Sequence, residues 1–374
     1  MDQSIDGLSA RFGSNQERRR NFALGLINGV GFRLAESLVD PPIVLTWFVR
    51  QLTESNLLIG LVSPLGRALW SLPQIFFAGH LQRLSHKMPV YRVSATIRLS
   101  AGFALAGVVW VVDDPVTLLV SFFLLYSVSR AVGAPGGLVF YDVVAKTIPP
   151  RRRGSFFAWR PLLGGLLGLV GGLVVKSVLD SPTFPFPRGY ALLFLMCGVS
   201  LVVGMGGMLA VREPAGAIIS SSVTLRQLMR RAGDLLRDDP VYRRYTITQI
   251  SLQMSNLAQP FLVVFAIDHL GAPDGMVGIY VTTRIAALLL ANLFWGALSD
   301  RRGNRLVLQL LCLGNGLVQV LALAMILGFS GVTRMPGEWL PYTALPALFL
   351  SGAMIPAHMM AGANFLLELV DETE

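Results

Sequence analysis

The first thing this 374-residue chain lacks is charge. Asp, Glu, Lys and Arg make up 14% of it while 53% is hydrophobic, whereas an ordinary soluble domain is about 25% charged. Such a chain cannot clothe its surface for water, which excludes a soluble enzyme or soluble binding module. Cysteine is scarce too: Cys197 and Cys312 both fall inside apolar runs, so neither a disulfide framework nor a cysteine metal site is expected. The four histidines, His80, His86, His269 and His358, do not cluster, and no metal or catalytic site is expected from them. No Gly-rich loop ends in Gly-Lys-Ser or Gly-Lys-Thr, so neither nucleotide-driven chemistry nor a cofactor is expected. Lysine occurs only at Lys87, Lys146 and Lys176, the rest of the basic charge being arginine. The net charge of +9 would suit nucleic acid only if the basic residues shared one soluble face, and they do not.

What the chain has instead is long apolar runs, at 21–48, 57–79, 91–112, 115–145, 155–179, 189–211, 245–267, 275–299, 306–329 and 341–370. Each approaches or exceeds the roughly 20 residues that carry a helix across a bilayer. The expected fold is therefore an all-α polytopic membrane protein with ten transmembrane helices in a lipid bilayer. The first run is too long for the core of a signal peptide and reads as an uncleaved first helix. With the N-terminus inside, twenty-one Lys and Arg fall in cytoplasmic segments against three outside, Arg50, Arg188 and Arg334. By the positive-inside rule the N-terminus is cytoplasmic, and the chain is expected in the cell membrane. Trp47, Trp110 and Trp339 near outer ends, with Trp159 and Trp295 near inner ends, read as interfacial belts.

The one long polar segment, 212–244, contains an amphipathic stretch with Leu225, Leu228, Ala232 and Leu235 on one stripe and arginines elsewhere. Such a helix suits an anionic inner leaflet. It divides the chain into an N-terminal six-helix bundle, 1–211, a cytoplasmic linker, 212–244, and a C-terminal bundle, 245–374.

Between the eighth and ninth runs lies Gly296-Ala297-Leu298-Ser299-Asp300-Arg301-Arg302-Gly303-Asn304-Arg305. The spacing has a physical logic. Gly296 allows two helices to approach, Gly303 permits the reversal, and Asp300 can accept hydrogen bonds from a helix N-terminus. This decapeptide resembles the loop signature of the major facilitator superfamily at Gly296, Asp300, Arg301, Gly303 and Arg305, and departs from it at Asn304, where a basic residue is usual. A degenerate echo, Gly79 to Lys87, stands 217 residues earlier, with Arg83 in the place of Asp300. A second echo pairs Asp142–Pro150 with Asn364–Glu372 at an offset of 222. Both point to a repeat of six spans. Twelve spans are then expected, and a chain showing ten reads as lacking its last two. The resemblance implies six-helix halves with a substrate site at the midplane between them, and alternating-access transport of a small solute.

A charge deep in a span costs about 2.5–3.5 kcal/mol on insertion scales and is a functional candidate by default. Arg33, Glu36 and Asp40 in the first run are spaced to share one helical face. They read either as a self-neutralised pair of Arg33 with Glu36 or as proton acceptors at Glu36 or Asp40, with Pro41-Pro42 as a gating kink. Arg67, Arg130 and Arg284, with Arg98, outnumber the embedded acids, which favours an anionic substrate. Arg160 and Lys176 stand near span ends and are expected to snorkel. Gln249, Gln253, Asn256 and Gln259 form a polar stripe suited to lining a cavity or bonding between helices. Gly164, Gly168 and Gly172 form a small-residue stripe that close packing explains. Arg130-Ala131-Val132-Gly133 loosely resembles a motif of proton-coupled family members. The leading reading is a monomeric secondary transporter, not an enzyme, taking a small molecule and coupled to protons. The alternatives are a membrane-embedded lipid-handling enzyme or a non-transporting sensor or scaffold.

Overall fold

The computed structural model describes residues 14–216, 225–331 and 337–371, and the regular elements among them are all helical. In chain order the α-helices are α1 Asn15–Leu38, α2 Thr46–Leu52, α3 Asn56–Leu81, α4 Met88–Val111, α5 Pro115–Thr147, α6 Pro150–Leu179, α7 Arg188–Leu209, α8 Leu225–Asp238, α9 Pro240–Ser255, α10 Gln259–Asp268, α11 Met276–Arg302, α12 Asn304–Gly331 and α13 Leu345–Asp371. Local chemistry sets their ends. The Ser14 hydroxyl accepts from the Glu17 amide at 3.2 Å and the Glu17 carboxylate accepts from the Ser14 amide at 3.0 Å, a reciprocal cap on α1. Asp114 and Asp239 cap α5 and α9, each followed by proline at the first helical position. Gly303, at φ 80°, closes α11 and lets α12 start at once.

Among the described residues nine segments are long and apolar enough to cross a membrane. Large apolar side chains face outward, among them Leu57 at 77%, Leu293 at 79% and Leu313 at 70% exposure. In water this surface would aggregate, whereas hydrocarbon solvates it. The chain is a multi-pass membrane protein. The expected count of ten is not reached by this measure. Helix α3 has 26 residues and the required length, but Pro64, Arg67 and Pro73 dilute its apolarity.

Two expected spans are broken rather than continuous. The first stops at Leu38 and resumes through a π-turn at Pro41–Leu45, because Pro41 disfavours helix at Asp40, which sits at φ −56°, ψ 118°. The seventh is split into α9 and α10 by a 3₁₀ turn, Asn256–Ala258, just before Pro260.

The chain forms two compact units. The first holds the described residues of 14–39, 64–171 and 181–228, where α1 packs on α7 and α4 packs on both α5 and α7. Its core is built from Tyr91, Val139, Phe140, Phe156 and Leu201. Helices α1 and α7 touch backbone to backbone: a Cβ on Gly31 would stand 2.7 Å from the Gly204 Cα. The Asn28 amide, 2% exposed, donates to the Gly204 carbonyl at 2.9 Å across the same crossing. Lipid tails supply no hydrophobic drive between helices, so close contact of small residues and hydrogen bonds hold the pair.

The second unit holds 40–63, 172–180 and the described residues from 229 on, with α13 packed on α11 and α12 around Leu252, Trp295, Val307, Leu311 and Met354. Gly172 and Gly278 lie in contact, a Cβ on Gly278 falling 2.4 Å from the Gly172 carbonyl oxygen. Gly172 of the fifth expected span therefore serves packing. Two tryptophans assigned to interfacial belts are instead buried, because the indole N–H of each finds a partner inside. Trp47 donates to Asp274 at 2.9 Å and Trp295 to the Ala353 carbonyl at 2.7 Å. Of the amphipathic stripe on α8, the side chains of Leu225 and Leu228 lie outside the described residues.

Gly204→Val drives two methyl groups into the α1 backbone, and overpacking of that kind costs roughly 1–3 kcal/mol. The expected outcome is a lowered thermal-unfolding midpoint in detergent, whereas Gly206→Val on the open face of α7, with nothing within 4 Å, leaves it unchanged.

Candidate functional site

In the first unit, arginines from four helices gather around a single carboxylate. Arg33 and Glu36 on α1 pair at 3.3 Å, with side chains 37% and 48% exposed. Arg98, on α4, is 7% exposed and lies between the rings of Phe32 at 5.1 Å and Trp70 at 5.6 Å. Its guanidinium approaches α5, with Nη1 3.1 Å from where a Cβ on Gly133 would stand, one turn beyond Arg130. Arg130 stacks on Tyr126 at 5.3 Å. Arg160 does not snorkel: α6 begins ten residues earlier, so Arg160 turns inward over Phe140 at 4.4 Å and donates to the Asn28 amide oxygen at 3.1 Å. Tyr91 stands beside Asn28, which donates to its hydroxyl at 3.4 Å. Glu36 is the carboxylate within electrostatic reach of Arg98, Arg130 and Arg160, and the Cys197 thiol on α7 lies within reach of Arg98 and Arg130. Arg67 is exposed on α3.

Asp40 is not on a face with Arg33 and Glu36, because the helix carrying them ends before it. It belongs to the second unit, where Arg284 of α11 donates to it at 2.6 Å, the two side chains 14% and 17% exposed. In the same unit Arg50 bonds Asp268 at 2.8 Å, and Lys176 reaches Asp180 at 2.6 Å. The expected polar stripe bonds mainly along itself. Gln259 donates to Asn256 at 2.9 Å, Asn256 to Gln253 at 3.4 Å, and the Gln253 amide stands 3.4 Å from His358.

In the signature loop, Arg301, Arg302 and Arg305 are exposed and Gly303 makes the reversal as expected. Among the described residues, a Cβ at Gly296 would meet the tip of the Met360 side chain at 3.7 Å, an ordinary contact distance. Asp300 is exposed in the last turn of α11. Asn304, the departure from the pattern, is buried at 8% and accepts from the Ser299 hydroxyl at 2.7 Å, so its amide braces the turn. At the α3–α4 turn of the first unit, Glu213, 3% exposed, accepts from the Lys87 amide at 2.9 Å, the Met88 amide at 2.8 Å and the Lys146 ammonium at 2.8 Å. Lys146 also bonds Asp142 at 2.6 Å, and Lys87 bonds Asp142 too. This carboxylate caps α4 and completes a four-charge cluster. A lone glutamate in a polar stretch carries no sequence signal, and Glu213 is not foreseen.

No family model matches the sequence, and no curated protein matches it. Solved structures do. A nucleoside transporter, NupG, superposes with a TM-score of 0.66 at 15% identity, covering 92% of this chain and 82% of its own. A bacterial homologue of the human lysosomal transporter Spinster, in an inward-facing unoccupied state, gives 0.63 at 16% identity, over 93% and 76%. A D-xylose–proton symporter gives 0.60 at 15%, over 91% and 79%. This is the major facilitator fold. The likeness carries the fold alone. The fold's neighbours are membrane transporters rather than enzymes.

Removing one partner from a buried charge cluster leaves the others unanswered and costs about 3–5 kcal/mol. Glu213→Gln is expected to lower the thermal midpoint far more than Glu17→Gln at the exposed start of α1, read by unfolding in detergent.

Proposed function

We propose that the chain is a secondary transporter that moves a small anionic solute across the cell membrane by alternating access, coupled to protons, as a monomer with its N-terminus in the cytoplasm. The observation that carries the reading is Arg98, a guanidinium 7% exposed inside a span with aromatic rings around it. A cation held at that cost in a major facilitator fold is best explained by a solute it receives. Arg130 and Arg33 add to the positive field, and Arg offers a planar fork to carboxylate or phosphate groups. In the second unit, Gln253 and Asn256 stand at the break between α9 and α10, where broken helices in transporters expose backbone and amides, and they are the polar candidates of that unit. The loop Gly296, Asp300, Arg301, Gly303 and Arg305 serves the conformational exchange.

For the proton, the supporting feature is the Asp40–Arg284 pair at the break in the first span. Protonating Asp40 removes the charge that holds Arg284, and so ties the local arrangement to proton occupancy. Glu36, beside Arg33, is the second acceptor.

Proteoliposomes enclosing a pH-sensitive dye test this reading. Addition of phosphate, sulfate, succinate or lactate is expected to acidify the lumen for at least one member of the panel, and an uncoupler collapses uptake of the labelled anion. Asp40→Asn is expected to abolish anion-driven proton entry by tenfold or more while labelled substrate still exchanges. Flux that ignores every anion, or proton entry that survives Asp40→Asn and Glu36→Gln alike, contradicts it.

A further inference from the structure

Among the described residues, the arginine cluster of the first unit carries more positive charge than the carboxylate beside it answers. Arg33, Arg98, Arg130 and Arg160 stand on α1, α4, α5 and α6, and the carboxylate that acts on the last three is Glu36, already paired with Arg33. Arg160 has the Asn28 amide oxygen and the face of Phe140. Arg98 has the faces of Phe32 and Trp70. The Nε atoms of Arg98 and Arg160 are buried without an acceptor. Ring faces return only a part of the hydration that a guanidinium gives up on burial. What remains is a demand for anionic oxygen, and its size follows from the charges: three guanidiniums share one carboxylate that a fourth already holds.

The location of the demand is also defined. Gly133 leaves open the space where a side chain would meet both the Arg98 guanidinium and the Trp70 ring, each 3.1 Å from its Cβ position. Arg98 thereby reaches α5 one turn from Arg130. A monoanion would leave two of the three guanidiniums uncompensated, whereas a group carrying two charges on several oxygens answers two at once through charge-assisted bonds. We propose that Arg98 and Arg130 form the binding site for a doubly charged oxyanion, a phosphate or sulfate group. This deepens the transport reading by naming the group on the solute, and rests on that reading only for what the site is for.

The chain holds a native reporter. Cys197 lies near both arginines, and Cys312, the other cysteine, is exposed and removable as Cys312→Ser. In that background, purified in nanodiscs, a negatively charged methanethiosulfonate reagent is expected to modify Cys197 about tenfold faster than its trimethylammonium counterpart, as a cationic pocket concentrates anions by 10-fold or more. Inorganic phosphate or sulfate is expected to slow that reaction and to raise the thermal midpoint of the unmodified protein, while lactate and chloride at equal ionic strength do neither. Arg98→Gln and Arg130→Gln each remove the preference and the shift, and Arg98→Lys restores part of the preference. Should Arg98→Gln fail to fold, Arg130→Gln and the wild-type anion series still decide. Absence of both protection and thermal shift by phosphate, sulfate and phosphatidic acid alike overturns the site, as does equal protection by chloride. Protection by phosphatidic acid in the nanodisc, without an effect of free phosphate, keeps the oxyanion site and assigns it to a lipid headgroup. Phosphate or sulfate binding with no flux of any anion of the panel in proteoliposomes leaves the site standing and removes the transport reading, whereas succinate or lactate flux without phosphate or sulfate binding does the reverse.

Discussion

The constraint on which the structure depends is that a charge in a membrane span must be answered nearby, because hydrocarbon will not hydrate it. The chain answers its charges in three ways. Arg284 and Arg50 take carboxylates, Asp40 and Asp268. Arg160 takes an amide oxygen and a ring. Arg98 takes the faces of two rings, with Glu36 within electrostatic reach. These answers differ in strength, and the weakest marks the place where an external group has most to contribute. Cation–π contacts return about 0.5–2 kcal/mol each, less than the several kcal/mol a guanidinium loses on burial.

The second constraint is the missing hydrophobic drive between helices in lipid. Glycines carry the crossings instead, Gly31 against Gly204 in one unit and Gly172 against Gly278 in the other. Close backbones leave little room for water at these crossings, so polar groups there bond directly, as Asn28 does to Gly204. The same economy explains why Trp47 and Trp295 point inward: an indole N–H left in hydrocarbon is a lost hydrogen bond, and Asp274 and Ala353 supply partners.

Fold class, the position of most helices and the reversal at Gly303 are legible in the sequence because hydropathy and turn chemistry are local. The breaks are half legible. Pro41-Pro42 signals an interruption, yet only the structure shows that it moves Asp40 from the face of Arg33 and Glu36 to Arg284, 244 residues away in sequence. Arg160 was expected at a span end because the apolar run begins near it, but the helix itself starts at Pro150, and the extra turns carry it inward. Asn304 breaks the resemblance of the loop while bracing the same turn, a role that its residue type alone does not announce. Glu213 and the neighbours of Arg98 are invisible beforehand, since long-range partners leave no periodic trace.

The central claim is that the charge cluster of the first unit opens to water at Arg33 and Glu36 rather than to lipid, and Glu36 reports on it most directly. The decisive measurement is labelling of Glu36 in nanodiscs by a water-soluble carbodiimide with an amine nucleophile, compared with the lipid-soluble dicyclohexylcarbodiimide and read by peptide mass spectrometry. The account predicts modification by the water-soluble reagent, slowed by the anion that the site binds. Modification by the lipid-soluble reagent alone, or by neither, would contradict it.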